Sequence, residues 1–197
     1  MSDIAAAKAD LRRMARARRE ALTPGARIEA AFALAEHVAR DTLFETVDVV
    51  GAYLPIGSEI DPRPAMMALA DRRLRLAAPA IVNGDLEFRE LLRDGELVAQ
   101  GHGTVAPGAA ARMLAPDILL VPLLAFDRRG ARIGYGRGFY DRAIARLLAV
   151  KPGLVTIGLA LDAQEVAEVP VEPHDRFLDR VLTESGVRVP SATASPR

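Results

Sequence analysis

The sequence predicts a single α/β domain of three layers, in which helices flank a parallel or mixed β-sheet. Its 197 residues suit one domain with a sizeable core. Apolar runs of strand length alternate with helical patterns, which favours a sheet covered on both faces. No apolar run approaches the ~20 residues that a membrane-spanning helix needs. We therefore expect one Rossmann-like domain over residues 1–189 and a disordered, polar tail over residues 190–197.

Three helices are predicted in the first part of the chain. Residues 3–21 combine an apolar stripe with an adjacent cationic face at helical spacing. Thr23 and Pro24 indicate the N-cap and first-turn proline of a second helix. A third helix is expected from Pro62 to about residue 72. The stripe of the first helix is Ile4, Ala7, Leu11, Met14 and Ala21, its cationic face is Lys8, Arg12, Arg16 and Arg19, and the inward face of the second helix is Ile28, Ala31, Phe32, Ala35 and Val38.

Short apolar runs predict the strands, and an Asn83-Gly84 pair favours a type I′ turn between two of them. Residues 93–116 are rich in glycine and proline and are expected to be irregular. In sheets of this class, ligands bind beyond the carboxyl ends of the strands. The expected strands are residues 47–55, 74–82, 85–91, 118–125, 154–161 and 180–183.

Composition limits the classes of function. Lysine and arginine together number 26, as do aspartate and glutamate, so the net charge gives no general argument for nucleic acid. The absence of cysteine excludes disulfides, zinc–thiolate sites and a thiol nucleophile. The N-terminus lacks the apolar core of a secretory signal. We expect a cytoplasmic monomer that binds neither a membrane nor nucleic acid.

Residues 126–141 carry the strongest functional signal. They follow a predicted strand and precede a helical pattern at residues 142–148. Three alternating glycines and two arginines in one turn predict a phosphate cradle, because backbone N–H groups and guanidinium groups suit an anion. The stretch has no Gly-Lys-Ser/Thr ending and lacks the third glycine of a dinucleotide fingerprint. The alternative is a tight connection with solvated arginines. The residues concerned are Arg132, Gly134, Gly136, Arg137 and Gly138.

This stretch resembles the signature of the 5-formyltetrahydrofolate cyclo-ligase family, also called methenyltetrahydrofolate synthetases. The segment from Pro122 reads Pro-Leu-Leu-Ala-Phe-Asp, and the segment from Arg132 reads Arg-Ile-Gly-Tyr-Gly-Arg-Gly-Phe-Tyr-Asp-Arg. The family pattern has Gly at Leu123, Leu at Ile133 and Tyr at Phe139. Lys8 with Arg12, the segment from Leu54 to Asp61, and the segment from His174 to Val181 are also similar to family segments.

The resemblance implies ATP-dependent cyclisation of 5-formyltetrahydrofolate to 5,10-methenyltetrahydrofolate, with release of ADP and phosphate through a phosphorylated formyl intermediate. It implies Lys8 and Arg137 as catalytic cations, and Mg²⁺ at Asp141 and Asp179. Leu54, Glu59, Tyr135 and Tyr140 would contact the reduced folate, and which tyrosine also faces the nucleotide is left open. The ATP contacts would be Lys8, Arg12, Arg132, Gly134, Tyr135, Gly136, Arg137, Gly138, Phe139 and Tyr140.

Several alternatives stand beside this interpretation. The protein could be a cyclo-ligase-like enzyme for another substrate, or a non-catalytic binder of sugar phosphates or nucleotides. The basic first helix could instead contact nucleic acid. Asp127 could cap its turn or support Arg132, Glu59 could be a solvated cap, and Asp179 could be a strand-edge charge. The three histidines form no spaced cluster, so a histidine metal site is not expected: they are His37, His102 and His174.

Overall fold

The computed structural model describes residues 3–101 and 103–190. The α-helices of this part are α1 (Asp3–Glu20), α2 (Pro24–Arg40), α3 (Arg63–Asp71) and α4 (Phe139–Val150), with short 3-10 helices at Thr42–Glu45 and Asp162–Gln164. The strands are β1 (Val49–Gly51), β2 (Arg75–Val82), β3 (Asp85–Glu90), β4 (Leu97–Gly101), β5 (Thr104–Pro107), β6 (Ile118–Pro122), β7 (Ala125–Phe126), β8 (Arg132–Ile133), β9 (Val155–Leu159), β10 (Arg180–Thr183) and β11 (Gly186–Arg188).

The main sheet of the described residues has seven strands in the order β11-β10-β9-β6-β1-β2-β3. Its five central strands are mutually parallel, whereas β3 and β11 pair antiparallel at the two edges. Two further pairs, β4–β5 and β7–β8, lie outside it. The prediction of a mixed sheet is therefore confirmed.

Helices cover both faces of the sheet. Along β6, Ile118 and Leu120 belong to the core on the side of α2 and α3, while Leu119 and Val121 belong to the core on the side of α4. Alternate residues of one apolar run thus point to opposite faces, as expected for a strand buried on both sides. The result is the predicted single three-layer α/β domain.

The first helix has the predicted bounds to within a residue, but most of its burial falls on the adjacent cationic face and not on the apolar stripe. Ile4 and Met14 of the apolar stripe are exposed, whereas Lys8, Ala15 and Arg19 are buried. Of the apolar stripe, Leu11 is partly buried and packs against the core. Two cations of the helix, Lys8 and Arg19, point into the molecule and bond to polar groups of several loops.

The second helix begins as predicted, because the Thr23 hydroxyl accepts a hydrogen bond from the Ala26 N–H at 3.1 Å. Ala31 and Val38 face inward as expected, but Ile28 and Phe32 are 58% and 60% exposed. The inward face is turned by one position and includes Ala30 and Leu34. Two of the four buried positions are alanines, which hydrophobicity alone does not distinguish from the larger exposed side chains.

Two strand predictions need correction. The segment 93–116 is not wholly irregular, since it contains the β4–β5 hairpin. The expected strand over residues 118–125 ends at Pro122, and the chain then enters the separate β7–β8 pair. Its apolar run continues across the break because Leu123 and Leu124 are buried as well. The apolar pattern of the sequence therefore gives no sign of where β6 ends and the chain begins to pair with β8 instead.

The hairpin around Asn83-Gly84 is confirmed, with positive φ at both turn residues. The predicted 47–55 strand is shorter in the structure, where β1 covers Val49–Gly51. The predicted disordered tail falls, from residue 191 onward, outside the described residues, as does His102. None of the helices that the structure describes is both long and apolar enough to cross a membrane.

Candidate active site

A cavity of about 460 Å³ opens at the carboxyl ends of the central parallel strands, within the size range of small-molecule sites. The segment after β1, the loop after β8, the inward face of α1 and the β4–β5 hairpin all contribute to its wall. The structure brings every predicted site residue to this cavity except Asp179. Those present are Lys8, Arg12, Leu54, Glu59, Arg132, Gly134, Tyr135, Gly136, Arg137, Gly138, Phe139, Tyr140 and Asp141.

The glycine loop joins β8 to α4, and two of its glycines are required by the backbone. Gly136 has φ +91°, and a Cβ there would stand 3.1 Å from the Arg12 guanidinium carbon. Gly138 has φ +64° and is the N-cap of α4, without a side-chain cap. Gly134 differs, since it has no positive φ and only open space where a Cβ would be. The first turn of α4 therefore meets the cavity with its N–H groups.

Arg12 connects the first helix to this loop. Its Nε donates to the Gly134 carbonyl at 3.0 Å, and its guanidinium lies against Gly136. The loop is thus held open by a cation and not packed shut by apolar side chains. Arg137, on the same loop, is exposed and lies 5.7 Å from the Phe139 ring centroid, so its guanidinium is available to a ligand.

Lys8 lies between two carboxylates. Its Nζ donates to Asp175 Oδ2 at 2.5 Å and to Glu172 Oε2 at 2.8 Å. Partial burial acts to lower the pKa of Lys8, but the hydrogen bonds that its ammonium donates to Asp175 and Glu172, with the charges of those carboxylates, outweigh burial and the pKa is raised. The ammonium group therefore stays charged throughout the neutral range.

A second charged cluster surrounds Asp141 in the first turn of α4. Its Oδ1 accepts from Arg132 Nη2 at 2.9 Å and from the Arg176 N–H at 3.0 Å. Arg132 also donates to the Arg176 carbonyl. Because Arg176 directly follows Asp175, this cluster lies next to the ion pairs of Lys8 with Asp175 and Glu172.

Glu59 is a buried carboxylate in the segment after β1, and it lines the same cavity. Its Oε2 accepts from the Ile56 N–H at 2.8 Å. Burial raises the pKa of Glu59, while the Ile56 N–H, the Tyr135 hydroxyl and the Arg19 charge act to lower it. Burial likewise raises the pKa of Tyr140 and Tyr53. A carboxylate among aromatic side chains suits a flat ligand with N–H donors.

Asp179 lies away from this cavity. Its Oδ2 accepts from the Thr156 N–H and hydroxyl, both at 2.8 Å, at the amino end of β9. The cavity is at the carboxyl end of the same sheet, and Asp141 lines it whereas Asp179 does not. Its interaction is structural, as the strand-edge alternative anticipated.

Sequence reasoning missed three residues that the structure places around the site: Glu172, Asp175 and Arg19. The first two belong to an irregular segment before β10, where no periodicity indicates which acidic residue turns inward. Asp127 was correctly expected to cap its turn, since it accepts from the Arg129 and Ala131 N–H groups, but its arginine partner is Arg129 and not Arg132.

The donor set fits a magnesium ion that is bound mainly through phosphates and water. Among the described residues, no three histidine, aspartate or glutamate side chains form a metal cluster. Asp141 and Asp175 both line the cavity beside its cations. One or two carboxylates are what Mg²⁺ usually takes from a protein when a nucleotide supplies further oxygens.

An α/β domain with several cations in a cleft at the carboxyl ends of its strands is typical of proteins that bind anionic ligands there. A family model described as the 5-formyltetrahydrofolate cyclo-ligase family matches residues 4–184. The chain belongs to this family.

Curated relatives agree over most of the chain. A 5-formyltetrahydrofolate cyclo-ligase of Escherichia coli is 32% identical over 181 residues, covering 88% of this chain and 98% of the relative. One of Mycolicibacterium smegmatis is 37% identical over 147 residues, covering 68% and 72%. Among solved structures, the 5,10-methenyltetrahydrofolate synthetase of Aquifex aeolicus has a TM-score of 0.75 at 25% identity and covers 96% of both chains. That of Mycoplasma pneumoniae has a TM-score of 0.71 at 21% identity, covers 90% of this chain and 98% of the other, and supports the fold.

Proposed function

We propose that this protein catalyses the ATP-dependent conversion of 5-formyltetrahydrofolate to 5,10-methenyltetrahydrofolate, with release of ADP and phosphate. One observation carries the proposal: a single cavity joins a cationic glycine loop to a buried carboxylate among aromatic side chains. The loop suits the phosphates of a nucleotide, and Glu59 suits the N–H groups of a pterin ring. Membership of the family supports both assignments.

In the proposed reaction, the formyl oxygen attacks the γ-phosphorus of ATP and ADP leaves. N10 then attacks the activated formyl carbon and loses its proton, and the former formyl oxygen departs with the phosphate. Such chemistry needs in-line positioning and charge compensation more than covalent help from the protein. Four cations of the cavity wall would supply the compensation: Lys8, Arg12, Arg132 and Arg137.

Asp141 and Asp175 would hold Mg²⁺ in this site, in place of the pair Asp141 and Asp179 expected from the sequence. The ion would neutralise phosphate charge on the bound nucleotide. Lys8 contacts Asp175 in the structure, so ammonium, carboxylate and phosphates would share one region. Tyr140 is partly buried near Glu59 and would face the folate, and Tyr135, whose hydroxyl lies near Glu59, would contact the same ligand from the loop.

The direct test mixes the protein with 5-formyltetrahydrofolate, ATP and Mg²⁺ and follows the near-ultraviolet absorption of the methenyl product. We expect the band to appear only with ATP, and one ADP to form per product. ATP binding without the band would remove the folate assignment and leave a cyclo-ligase-like enzyme for another substrate. Binding of ATP without any hydrolysis would favour a non-catalytic binder. Action in the cytoplasm and a monomeric state stay predictions.

Replacing Glu59 with glutamine is expected to raise the KM for the folate by about 10- to 100-fold, the range for a hydrogen bond to a charged group. The KM for ATP should change little. Because the pKa of Glu59 is raised, the wild-type folate KM should rise as the pH falls through the weakly acidic range, and Glu59→Gln should lack this dependence.

The matched control is Glu36→Gln, at an exposed position of α2 that pairs with Arg40. It should leave both KM values unchanged. An unaltered folate KM in Glu59→Gln, measured at several pH values, would contradict the assigned role. Since burial disfavours the charged carboxylate, glutamine should not lower the melting temperature.

A further inference from the structure

Arg19 is a nearly fully buried cation whose role the reaction scheme does not explain. It is 2% exposed and belongs to α1. Its guanidinium donates to three different segments: to Ser58 Oγ at 3.1 Å, to the Leu123 carbonyl at 3.4 Å and to the Tyr135 hydroxyl at 2.9 Å. All three acceptors are neutral oxygens.

Folding alone gives little reason for an arginine at this position. Removing a guanidinium from water costs several kcal/mol, and an apolar side chain of similar volume would often serve stability as well or better. Because none of the three hydrogen-bond acceptors of Arg19 is a carboxylate, the positive charge of the guanidinium is not neutralised by a direct ion pair with any of them and can act on other nearby groups. The nearby carboxylate is Glu59, whose pKa is raised by burial while the Arg19 charge acts in the opposite direction.

The three segments that meet at Arg19 are those that shape the folate end of the cavity. Ser58 directly precedes Glu59, Leu123 follows the carboxyl end of β6, and Tyr135 belongs to the glycine loop. The Tyr135 hydroxyl accepts from Arg19, and it lies close enough to Glu59 to act to lower the pKa of that carboxylate. The Arg19 guanidinium also lies 6.0 Å from the Tyr135 ring centroid. Arg19 itself does not line the cavity, so it can act only through these partners.

We propose that Arg19 is a positioning residue that fixes Tyr135 and the Glu59 segment relative to each other, and so sets the affinity for the folate and not for ATP. The inference rests on the proposed function. In physical terms, one planar guanidinium bonds to both sides of the folate site, to Ser58 next to Glu59 and to Tyr135, and so orients the carboxylate that receives the pterin.

The test compares Arg19→Gln, Tyr135→Phe and the double variant in steady-state assays. Each single change should raise the folate KM by about tenfold or more, the scale of a lost charge-assisted hydrogen bond. The KM for ATP should stay within about threefold. Because Arg19 is proposed to act through Tyr135, the two changes should not be additive. The folate KM of the double variant should be only slightly higher than the larger of the two single-variant values.

Further variants separate positioning from general stability. Arg19→Lys keeps the charge but loses the fork, so it should restore the folate KM only in part. Arg18→Gln, which removes an exposed charge from the next position of the same helix, should leave both KM values unchanged. Should the Arg19 variants fail to fold, Tyr135→Phe and Ser58→Ala decide the matter, since each removes one acceptor of the guanidinium.

The proposal would be overturned if the increases in folate KM of the two single variants multiply in the double variant. It would also be overturned if the KM values for ATP and folate rise equally as the melting temperature falls. Equilibrium dialysis of 5-formyltetrahydrofolate keeps this failure distinct from failure of the function. A wild-type protein that does not bind the folate would refute the proposed function. A wild-type protein that binds it, with Arg19→Gln and Tyr135→Phe binding equally well, would refute the positioning role alone.

Discussion

Replacing Lys8 with methionine is expected to reduce kcat/KM for ATP by roughly 30- to 1000-fold, which corresponds to about 2–4 kcal/mol of transition-state stabilisation. Methionine keeps the length of the side chain and removes only the charge. In the structure the Lys8 ammonium is fixed beside the glycine loop by Asp175 and Glu172, so it is preorganised next to the proposed phosphate site. A preorganised cation compensates charge as the γ-phosphoryl group transfers.

The chain provides a matched control, because its one other lysine is remote from the cavity. Lys151 pairs with Asp117 at 2.5 Å and donates to the Ala115 carbonyl, at the amino end of β6. Lys151→Met should retain wild-type turnover. Lys8→Arg keeps the charge, but a planar guanidinium cannot follow the phosphoryl group as a flexible ammonium can, so we expect only weak rescue.

Thermal melting distinguishes a catalytic loss from an unfolded protein. Lys8→Met leaves Asp175 and Glu172 facing each other without a cation, so some loss of stability is expected. Assays are therefore made well below the melting temperature of each variant. Wild-type turnover in a folded Lys8→Met protein would remove Lys8 from the proposed mechanism.

Asp141→Asn and Asp175→Asn are expected to raise the Mg²⁺ concentration needed for half-maximal activity by about 10- to 100-fold, the scale found when support of a metal site is lost. Each aspartate lines the cavity and would contribute an oxygen to the ion. Asp141→Asn should also lower the melting temperature, because Arg132, with a side chain that is 5% exposed, loses its charged partner.

Asp179→Asn is the control for the Mg²⁺ requirement of the Asp141 and Asp175 variants. Its carboxylate bonds to Thr156 at the opposite end of the sheet, so we expect a lower melting temperature and an unchanged Mg²⁺ requirement. The measurement is activity as a function of Mg²⁺ at saturating ATP, together with metal binding by calorimetry in the presence of a non-hydrolysable ATP analogue. A raised requirement in Asp179→Asn but not in Asp175→Asn would reverse the assignment.

The contrast between Asp175 and Asp179 shows where sequence reasoning reached its limit. Both precede β10 and lie four residues apart, and resemblance to a family pattern favoured the one adjacent to the strand. Which of them faces the cavity depends on how the irregular segment crosses the end of the sheet. That path is set by tertiary contacts, among them the Arg176 N–H to Asp141 and Lys8 to Asp175.

The glycine loop could be predicted because its glycines and cations are contiguous, so the backbone geometry follows from local sequence. Gly136 and Gly138 do have positive φ, although Gly134 does not. The buried face of α1 could not be predicted in this way. Apolar periodicity favours burial of Ile4 and Met14, and it fails because the helix buries cations that serve a site.

The way α1 is attached has a consequence for how the cleft assembles. Of its three buried residues, Ala15 alone is apolar, and with the partly buried Leu11 it forms a small hydrophobic contact, so polar contacts carry much of the attachment of the helix. Lys8 and Arg19 secure it through ionic and polar contacts with other loops. Sub-global opening could therefore release α1 while the sheet stays folded. A bound nucleotide would then stabilise the docked position of α1, and amide hydrogen exchange along this helix should become slower when the nucleotide binds.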